Sequence, residues 1–522
     1  MKKIGVISLF PFRPHVQNMA FLTKLLIRDG YEVRVLHCDA EFDFCYYKLF
    51  NDKKSKFYPN CLTCNIGSLK HFVSENLVDP ISEYVNLGGA DKLEITEEDR
   101  INAVNSIANV HRIEDYNELY SIRESEQYEA LLNAKDKMNN AFYSWYNSRD
   151  LDGVVLFNGR MDLANSILKV CKNNNYPVVT VESSGSDRGL RIIPNENALS
   201  KVEFERLLEN YIERPLTNDQ LKVAITFFNG RLKRDNAFEW RQYHEDSNND
   251  YNWVGAGKKV LILPSSNYEF YGNYDLSDCW NNASEGFKYI LEKLNIKKNN
   301  ILVRFHPNWA RSIAEYKGKN SINHYKRFCQ DNGYKFIESE SKINTQALME
   351  DADIVIVNGG SSAIEATLMG KLVYNVFPAK FSKAKFVTNI FSKNDNVTLE
   401  KLETNLKKER IKYCLRYLYF NMRRFPQYIN AIRVKSSIQN EYNFETDSKQ
   451  LTHVLSTQTV GLSDIEFDVD NKKEKKFVQN LFYDHRYYVD RINQDNNVRN
   501  SDYESLIPNG KVKLIYKIRA HL

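Results

Sequence analysis

Ile354-Val355-Ile356-Val357-Asn358-Gly359-Gly360-Ser361-Ser362-Ala363-Ile364-Glu365-Ala366 is the stretch on which the fold turns. Four consecutive branched apolar residues read as a strand buried on both faces, as in a parallel sheet. The Gly359-Gly360 pair at its carboxyl end allows a tight backbone turn. Ser361 and Ser362 then fall in the first turn of a helix that ends at Met369-Gly370. Unpaired N–H groups and the positive dipole end of such a helix favour an anion. Glu365, one turn further on, is placed to accept hydrogen bonds from ribose hydroxyls. The stretch predicts a pocket for a nucleotide mono- or diphosphate with its sugar. A plain strand-to-helix turn with a serine N-cap competes with that reading when the segment is taken alone.

Other strand ends repeat the pattern. Arg304-Phe305-His306-Pro307 closes a predicted strand over 301–305, and Pro307 stops the ladder there. His306 is thereby set at the sheet's carboxyl edge, and with Arg304 it is a candidate to bind a phosphate or stabilise a leaving diphosphate. After the predicted strand 259–263, Ser265, Ser266 and Glu269 offer hydroxyls and a carboxylate for phosphate or sugar contacts. In the first half, Asn158-Gly159-Arg160 follows the strand 153–157 and adds a guanidinium. Glu182 ends the next strand, 177–182, and is the favoured general base or carboxylate at an oxocarbenium-like centre. Burial beside Tyr176 and Val181 is expected to raise its pKa. His15, after the first strand, is the second candidate base.

The strands alternate with helical patterns, which implies parallel sheets covered on both faces. The predicted fold class is α/β: two doubly wound, Rossmann-like domains facing across a cleft, with a helical C-terminal extension. The divisions expected are 1–195, a helical linker 196–257 ending in the hinge Gly255-Ala256-Gly257-Lys258, a second domain 258–398, helices over 399–446, and a weakly patterned extension 447–522. Within that extension, 511–519 alternates basic and apolar residues, as an edge strand does more readily than a membrane-surface helix.

At 522 residues the chain exceeds one ordinary core. No run approaches the roughly 20 apolar residues that span a bilayer, and the N-terminal apolar run lacks the features of a signal peptide. A cytoplasmic location is therefore expected, with the inner face of the cell membrane as a candidate peripheral contact. The net charge of +5 suits anionic ligands or an anionic membrane surface. No basic stripe points to nucleic acid. Cys38, Cys45, Cys61 and Cys64 lie in one short segment and admit a structural zinc, although their irregular spacing favours reduced thiols packing a loop.

The order Asn-Gly-Arg, Glu-x-x-Gly, Pro-Ser-Ser-x-x-Glu, Arg-x-His-Pro and Gly-Gly-Ser-Ser-x-x-Glu resembles the capsular and surface polysaccharide biosynthesis proteins over about residues 1–395. These are GT-B-type glycosyltransferases akin to the capsule Kdo transferases and, more distantly, to the polyol-phosphate transferases of teichoic acid assembly. The early cysteine segment resembles the same group. The resemblance implies a nucleotide-sugar donor and a glycan or lipid-linked glycan acceptor. It assigns His306, Ser361 and Ser362 to the nucleotide's phosphate, Glu365 to the nucleotide, and Glu182 to the acceptor or anomeric centre, with 1–195 as the acceptor-side domain. It also implies that the helix after 399 packs back across the first domain. With no Asp-x-Asp triad where a GT-A enzyme needs one, no required cofactor or catalytic metal is expected. Ser183-Ser184 departs from the basic or glycine residues common after that glutamate. A polyol-phosphate transferase, a sugar-nucleotide epimerase and a non-catalytic glycan- or nucleotide-binding scaffold are the alternatives.

Overall fold

Two six-stranded sheets carry the chain's hydrophobic runs. The computed structural model describes residues 2–51, 60–72, 77–85, 93–236, 251, 253, 257–266, 268–269, 280–310, 312–313, 316–398, 404–492 and 503–506. The first sheet is built from β1 (Lys3–Ser8), β2 (Glu32–His37), β3 (Val78–Pro80), β4 (Gly153–Phe157), β5 (Val178–Ser183) and β6 (Leu190–Pro194), in the order β3-β2-β1-β4-β5-β6. All pairings are parallel except β5–β6.

The second sheet uses β7 (Val260–Leu263) and β8 (Ile301–Arg304). After a small antiparallel ribbon, β9 (Ser312–Ile313) and β10 (Tyr316–Lys317), it continues with β11 (Lys335–Ile337), β12 (Ile354–Val357), β13 (Leu372–Asn375) and β14 (Thr388–Asn389). Its order is β11-β8-β7-β12-β13-β14, wholly parallel. The β-branched runs of β7 and β12 are buried along their whole length, as a strand between two helical layers requires.

Strand order decides where a ligand can sit. In each sheet the connection reverses direction once, between β1 and β4 in the first and between β7 and β12 in the second. Loops leaving the carboxyl ends of strands at such a switch point diverge to opposite faces and leave a crevice. Those loops carry His15 and Asn158-Gly159-Arg160 in one sheet, and Ser265-Ser266 and the 358–362 turn in the other.

The strand predictions hold to within two residues at each of these ends. Other features lie beyond the sequence reading. Residues 95–149, polar and helix-forming in composition, fold as two helices, Glu97–His111 and Glu126–Arg149, separated by a 3-10 turn over Tyr116–Glu124. The antiparallel β6 went unpredicted. Helices Val202–Tyr211 and Asn218–Lys233, in the stretch read as a linker, contribute Phe204, Leu208, Leu221, Ile225 and Phe228 to the continuous core rather than spanning a gap. Of the expected hinge, Gly257 and Lys258 alone lie within the described residues.

The stretch from 447 onward is also more ordered than its pattern suggested. Helices Lys449–Thr457 and Lys472–Tyr483 bury Leu451, Val454, Leu455, Phe477, Val478 and Leu481. Arg416, on the helix Thr404–Tyr419, forks onto the buried Glu474 with Nη2 2.6 Å and Nε 2.9 Å from its oxygens. The antiparallel pair β15 (Ile432–Ser436) and β16 (Gln439–Tyr442) leans on the first domain: Asn440 and the Tyr442 hydroxyl both donate to Asn18 Oδ1 at 2.8 Å. These elements are short and rich in Lys, Asn and Asp on their outer faces, which dilutes the apolar periodicity. The alternating segment 511–519 lies outside the described residues. Among the described residues, no helix is long and apolar enough to cross a membrane.

Candidate functional site

The first-domain edge is organised around one carboxylate. Asn158 and Gly159 are both left-handed, with φ of +60° and +68°. A side chain at Gly159 would meet Thr180 Cγ2 at 2.7 Å, so glycine is required there. The turn aims the Asn158 amide at Glu182, Nδ2 to Oε2 2.6 Å. The Ser183 N–H donates to Glu182 Oε1 at 2.8 Å, and His15 Nδ1 stands 3.0 Å from the same oxygen. The imidazole is stacked on Phe157 with centroids 4.3 Å apart, which fixes its plane.

Glu182 was expected to titrate high, and here the structure corrects the sequence. Burial does raise its pKa, but His15, the Asn158 amide and the Ser183 N–H together hold it down at about 2. A carboxylate that stays ionised at neutral pH is a poor proton acceptor. Its role is that of a fixed anion beside His15, whose Nδ1 is close to it but makes no aligned hydrogen bond.

The shift carries a stability consequence. A carboxyl whose folded pKa lies below its unfolded value near 4.5 stabilises the fold fully above that value and loses the effect as pH falls toward 2. The term is worth on the order of 2–3 kcal/mol. Urea unfolding from pH 2 to 6 is expected to show wild type gaining stability over Glu182→Gln across that window; parallel curves would refute the arrangement.

The second-domain edge is a hollow lined by His306, Asn308, Asn344, Gln346, Ser362 and Glu365, among others. The Asn308 N–H donates to His306 Nδ1 at 3.2 Å, which makes Nε2 the protonated, donating nitrogen of the neutral ring. The helix after the glycine turn spans only Ser362–Leu368, less than two turns, so its dipole is small. Positive charge at the hollow comes instead from Arg234 and Lys342, which line it. Arg231, in the helix Asn218–Lys233, pairs with Glu365, Nη1 to Oε1 2.6 Å, and its Nη2 donates to Ser361 Oγ at 2.9 Å. Gln346 Nε2 reaches the Arg231 carbonyl at 2.7 Å.

Several predicted ligands therefore have internal duties. Glu365 lines the hollow yet is fully buried and paired with Arg231, so its carboxylate holds a guanidinium rather than standing open to a ribose. Arg304 is buried and donates to the carbonyls of Glu338 and Ser341, bracing the loop after β11. Asn358 clasps the Ser265 backbone across the switch point, accepting from its N–H at 2.5 Å and donating to its carbonyl at 2.8 Å. Gly359, with φ +83°, lets the Asn375 amide oxygen accept its N–H at 2.8 Å. Gly360 sits against Ser265, and the Ser266 hydroxyl accepts from Trp309 Nε1 at 3.0 Å. Arg160 donates to the Glu269 carbonyl, tying the first domain to the loop after β7; the Glu269 side chain is exposed.

His306, Ser362 and Glu365 thus share one hollow, while His15 lines another with Phe157 and Met19. Between them runs the segment after β13: Ala379 abuts Gly359, and Lys380 feels the charge of Glu182. Arg231, Lys380 and Arg191, which lies opposite Glu182 on β6, escaped the sequence reading. Each sits in a charged or loop stretch with no local periodicity.

In the cysteine cluster, burial pushes the Cys38 thiol up to about 11 and also raises Cys45 and Cys64. Among the described residues, no three His, Cys, Asp or Glu side chains are grouped to hold a metal ion.

Two doubly wound, largely parallel sheets with switch-point crevices make this a two-domain α/β protein. No protein-family model matches the chain, and no curated protein matches it. Similar solved structures include the beta Kdo 2,4 transferase KpsC of Thermosulfurimonas dismutans, at 14% identity and TM-score 0.34, covering 57% of this chain and 83% of that one. They also include the Neisseria meningitidis UDP-GlcNAc 2-epimerase bound to UDP-GlcNAc, at 12% identity and TM-score 0.29, covering 81% and 97%. The spinosyn rhamnosyltransferase SpnG matches at 11% and 0.22, covering 81% and 96%. Identities this low and superpositions this partial say nothing of activity.

Proposed function

We propose that the protein is a glycosyltransferase moving a sugar from a nucleotide-sugar donor to a hydroxyl of a surface glycan, without requiring a divalent ion. What supports this reading is the pairing of His15 with Glu182 at one switch point and the hollow lined by His306 at the other. His15 Nε2 takes the proton of the acceptor hydroxyl, whose oxygen attacks the anomeric carbon as the bond to the leaving phosphate breaks. Its electron pair passes to the phosphate oxygen, where the His306 Nε2–H and the Ser361 and Ser362 hydroxyls meet the developing charge. Glu182 remains an anion throughout and supports the imidazolium. A lipid-linked glycan at a membrane's inner face is the acceptor this reading favours, because the surface is mildly cationic.

His306→Ala tests the donor side. Removing one preorganised donor at a developing oxyanion costs about 100- to 1,000-fold in kcat, and a fold monitored by circular dichroism should be unchanged. Undiminished turnover with any nucleotide-sugar the wild type accepts would refute the assignment.

A further inference from the structure

Along 464–470, backbone hydrogen bonds and exposed apolar side chains both alternate with period two, as they do in an extended strand. The Asp468 N–H donates to the Pro215 carbonyl at 3.0 Å, and the Glu466 carbonyl accepts from Gln220 Nε2 at 3.0 Å and from Arg424 Nη2. Residues 465, 467 and 469 make no such inward bond. Among the described residues, their backbone N–H and C=O groups meet no protein partner. Their side chains are open as well: Ile465 is 65%, Phe467 41% and Val469 92% exposed, with the Arg214 guanidinium 4.8 Å over the Phe467 ring. Glu466 and Asp468 alternate with them, and Asp470 follows, paired with Lys472 at 3.6 Å. An edge with free backbone groups and an apolar row is a template for one more extended strand.

The chain itself carries the matching sequence. In 511–519, Val512, Leu514, Tyr516 and Ile518 alternate with Lys511, Lys513, Lys517 and Arg519, Ile515 being the one exception. As a strand, that sequence has an apolar face and a basic face. Set beside 465–469, it places apolar side chains against Ile465, Phe467 and Val469, and lysines against Glu466 and Asp468. A slip of one residue would reverse both matches. The same two carboxylates disfavour an anionic lipid surface as the occupant. Reach is no obstacle. The Ser463 N–H donates to the Arg424 carbonyl at 2.8 Å and the Tyr503 hydroxyl to the Asn430 carbonyl at 2.8 Å, so both segments start from one short stretch, 424–430. The eight residues from Tyr503 to Lys511 span up to about 26 Å when extended.

We propose that the segment 511–519 docks as an added β-strand on the open edge 465–469 of the same chain. The docked strand covers the three apolar side chains and closes an edge that would otherwise offer itself to other chains. The docking stands apart from the transferase reading and survives its failure.

Amide hydrogen exchange of the full chain, read by mass spectrometry, tests it. In wild type, 465–469 and 511–519 are expected to exchange together, about tenfold or more slowly than in Glu466→Lys with Asp468→Lys, where lysine would face lysine. Adding Lys513→Glu and Lys517→Glu to that pair should restore the protection, a recovery that a merely structural role for either segment would not show. Phe467→Ser, which keeps the charges, should also speed exchange in 511–519 while β1 and β12 stay protected as in wild type. Exchange of 511–519 in wild type at the rate of an unstructured peptide, or protection unchanged by Glu466→Lys with Asp468→Lys, overturns the proposal. Protection that appears only as protein concentration rises, with a dimer seen by light scattering, places the strand on a second copy and overturns it as well.

Discussion

His15→Ala is expected to lower kcat for sugar transfer by about 100- to 10,000-fold while leaving nucleotide affinity within a factor of two or so. The imidazole is stacked on Phe157, which fixes its plane, and Nδ1 stands 3.0 Å from the Glu182 anion. Glu182 cannot replace it, because a carboxyl held at about 2 binds a proton too weakly at neutral pH. The dependence is hierarchical. Glu182→Gln should lose less than His15→Ala, and the double variant should be little worse than His15→Ala alone, since the carboxylate acts through the imidazole. Additive losses would show that the two groups act independently, and equal losses in kcat and affinity would reduce His15 to a binding residue. Single-turnover transfer and equilibrium nucleotide binding, measured on the same preparations, separate these outcomes.

Arg231→Met is expected to destabilise the fold by about 3–5 kcal/mol, because it takes from the fully buried Glu365 the guanidinium that pairs with it. Arg231 also satisfies Ser361 and is locked through its carbonyl by Gln346, so its loss unfastens the Gly-Gly-Ser-Ser turn from the helix Asn218–Lys233. Replacing both partners by apolar groups of similar volume, as in Arg231→Met with Glu365→Leu, should recover most of the stability, since a buried ion pair contributes little net energy. It should not recover nucleotide binding if the Gly-Gly-Ser-Ser turn needs the guanidinium to hold Ser361 in place. Urea unfolding followed by fluorescence reads the first effect and titration with nucleotide the second. A single variant as stable as wild type would show that Glu365 is not ionised in the fold.

The sheets were legible because their strands are runs of β-branched residues stopped by Gly, Pro or Asn, as at Val357-Asn358-Gly359 and Phe305-His306-Pro307. Strand ends give switch-point loops, and switch-point loops give candidate residues, so His15, Asn158, Glu182 and His306 could all be placed at crevice edges from sequence. What those side chains do there was less legible. Whether Glu365 meets a ribose or an arginine depends on Arg231, 134 residues earlier, and no spacing rule links the two. Glu182 was read as raised by burial because burial is visible in an apolar run. Of the groups that reverse the sign, Ser183 is the next residue of the same strand, but His15 and Asn158 come from beyond the ends of two other strands. Likewise the last helices bury whole faces through contacts with the first domain and with Arg416, while their own outer surfaces look like linker.

The central claim is that both crevice edges serve one nucleotide-activated sugar, and the most direct measurement is the thermal stability of the full chain against CMP, UDP, GDP and CDP compounds. One of them should raise the melting temperature with a mass-action dependence, reaching about 2.7 kcal/mol of stabilisation at 100 times its dissociation constant. That shift should shrink in His306→Ala and persist in His15→Ala. A chain whose melting temperature ignores every nucleotide, or whose response is indifferent to His306, would contradict the account.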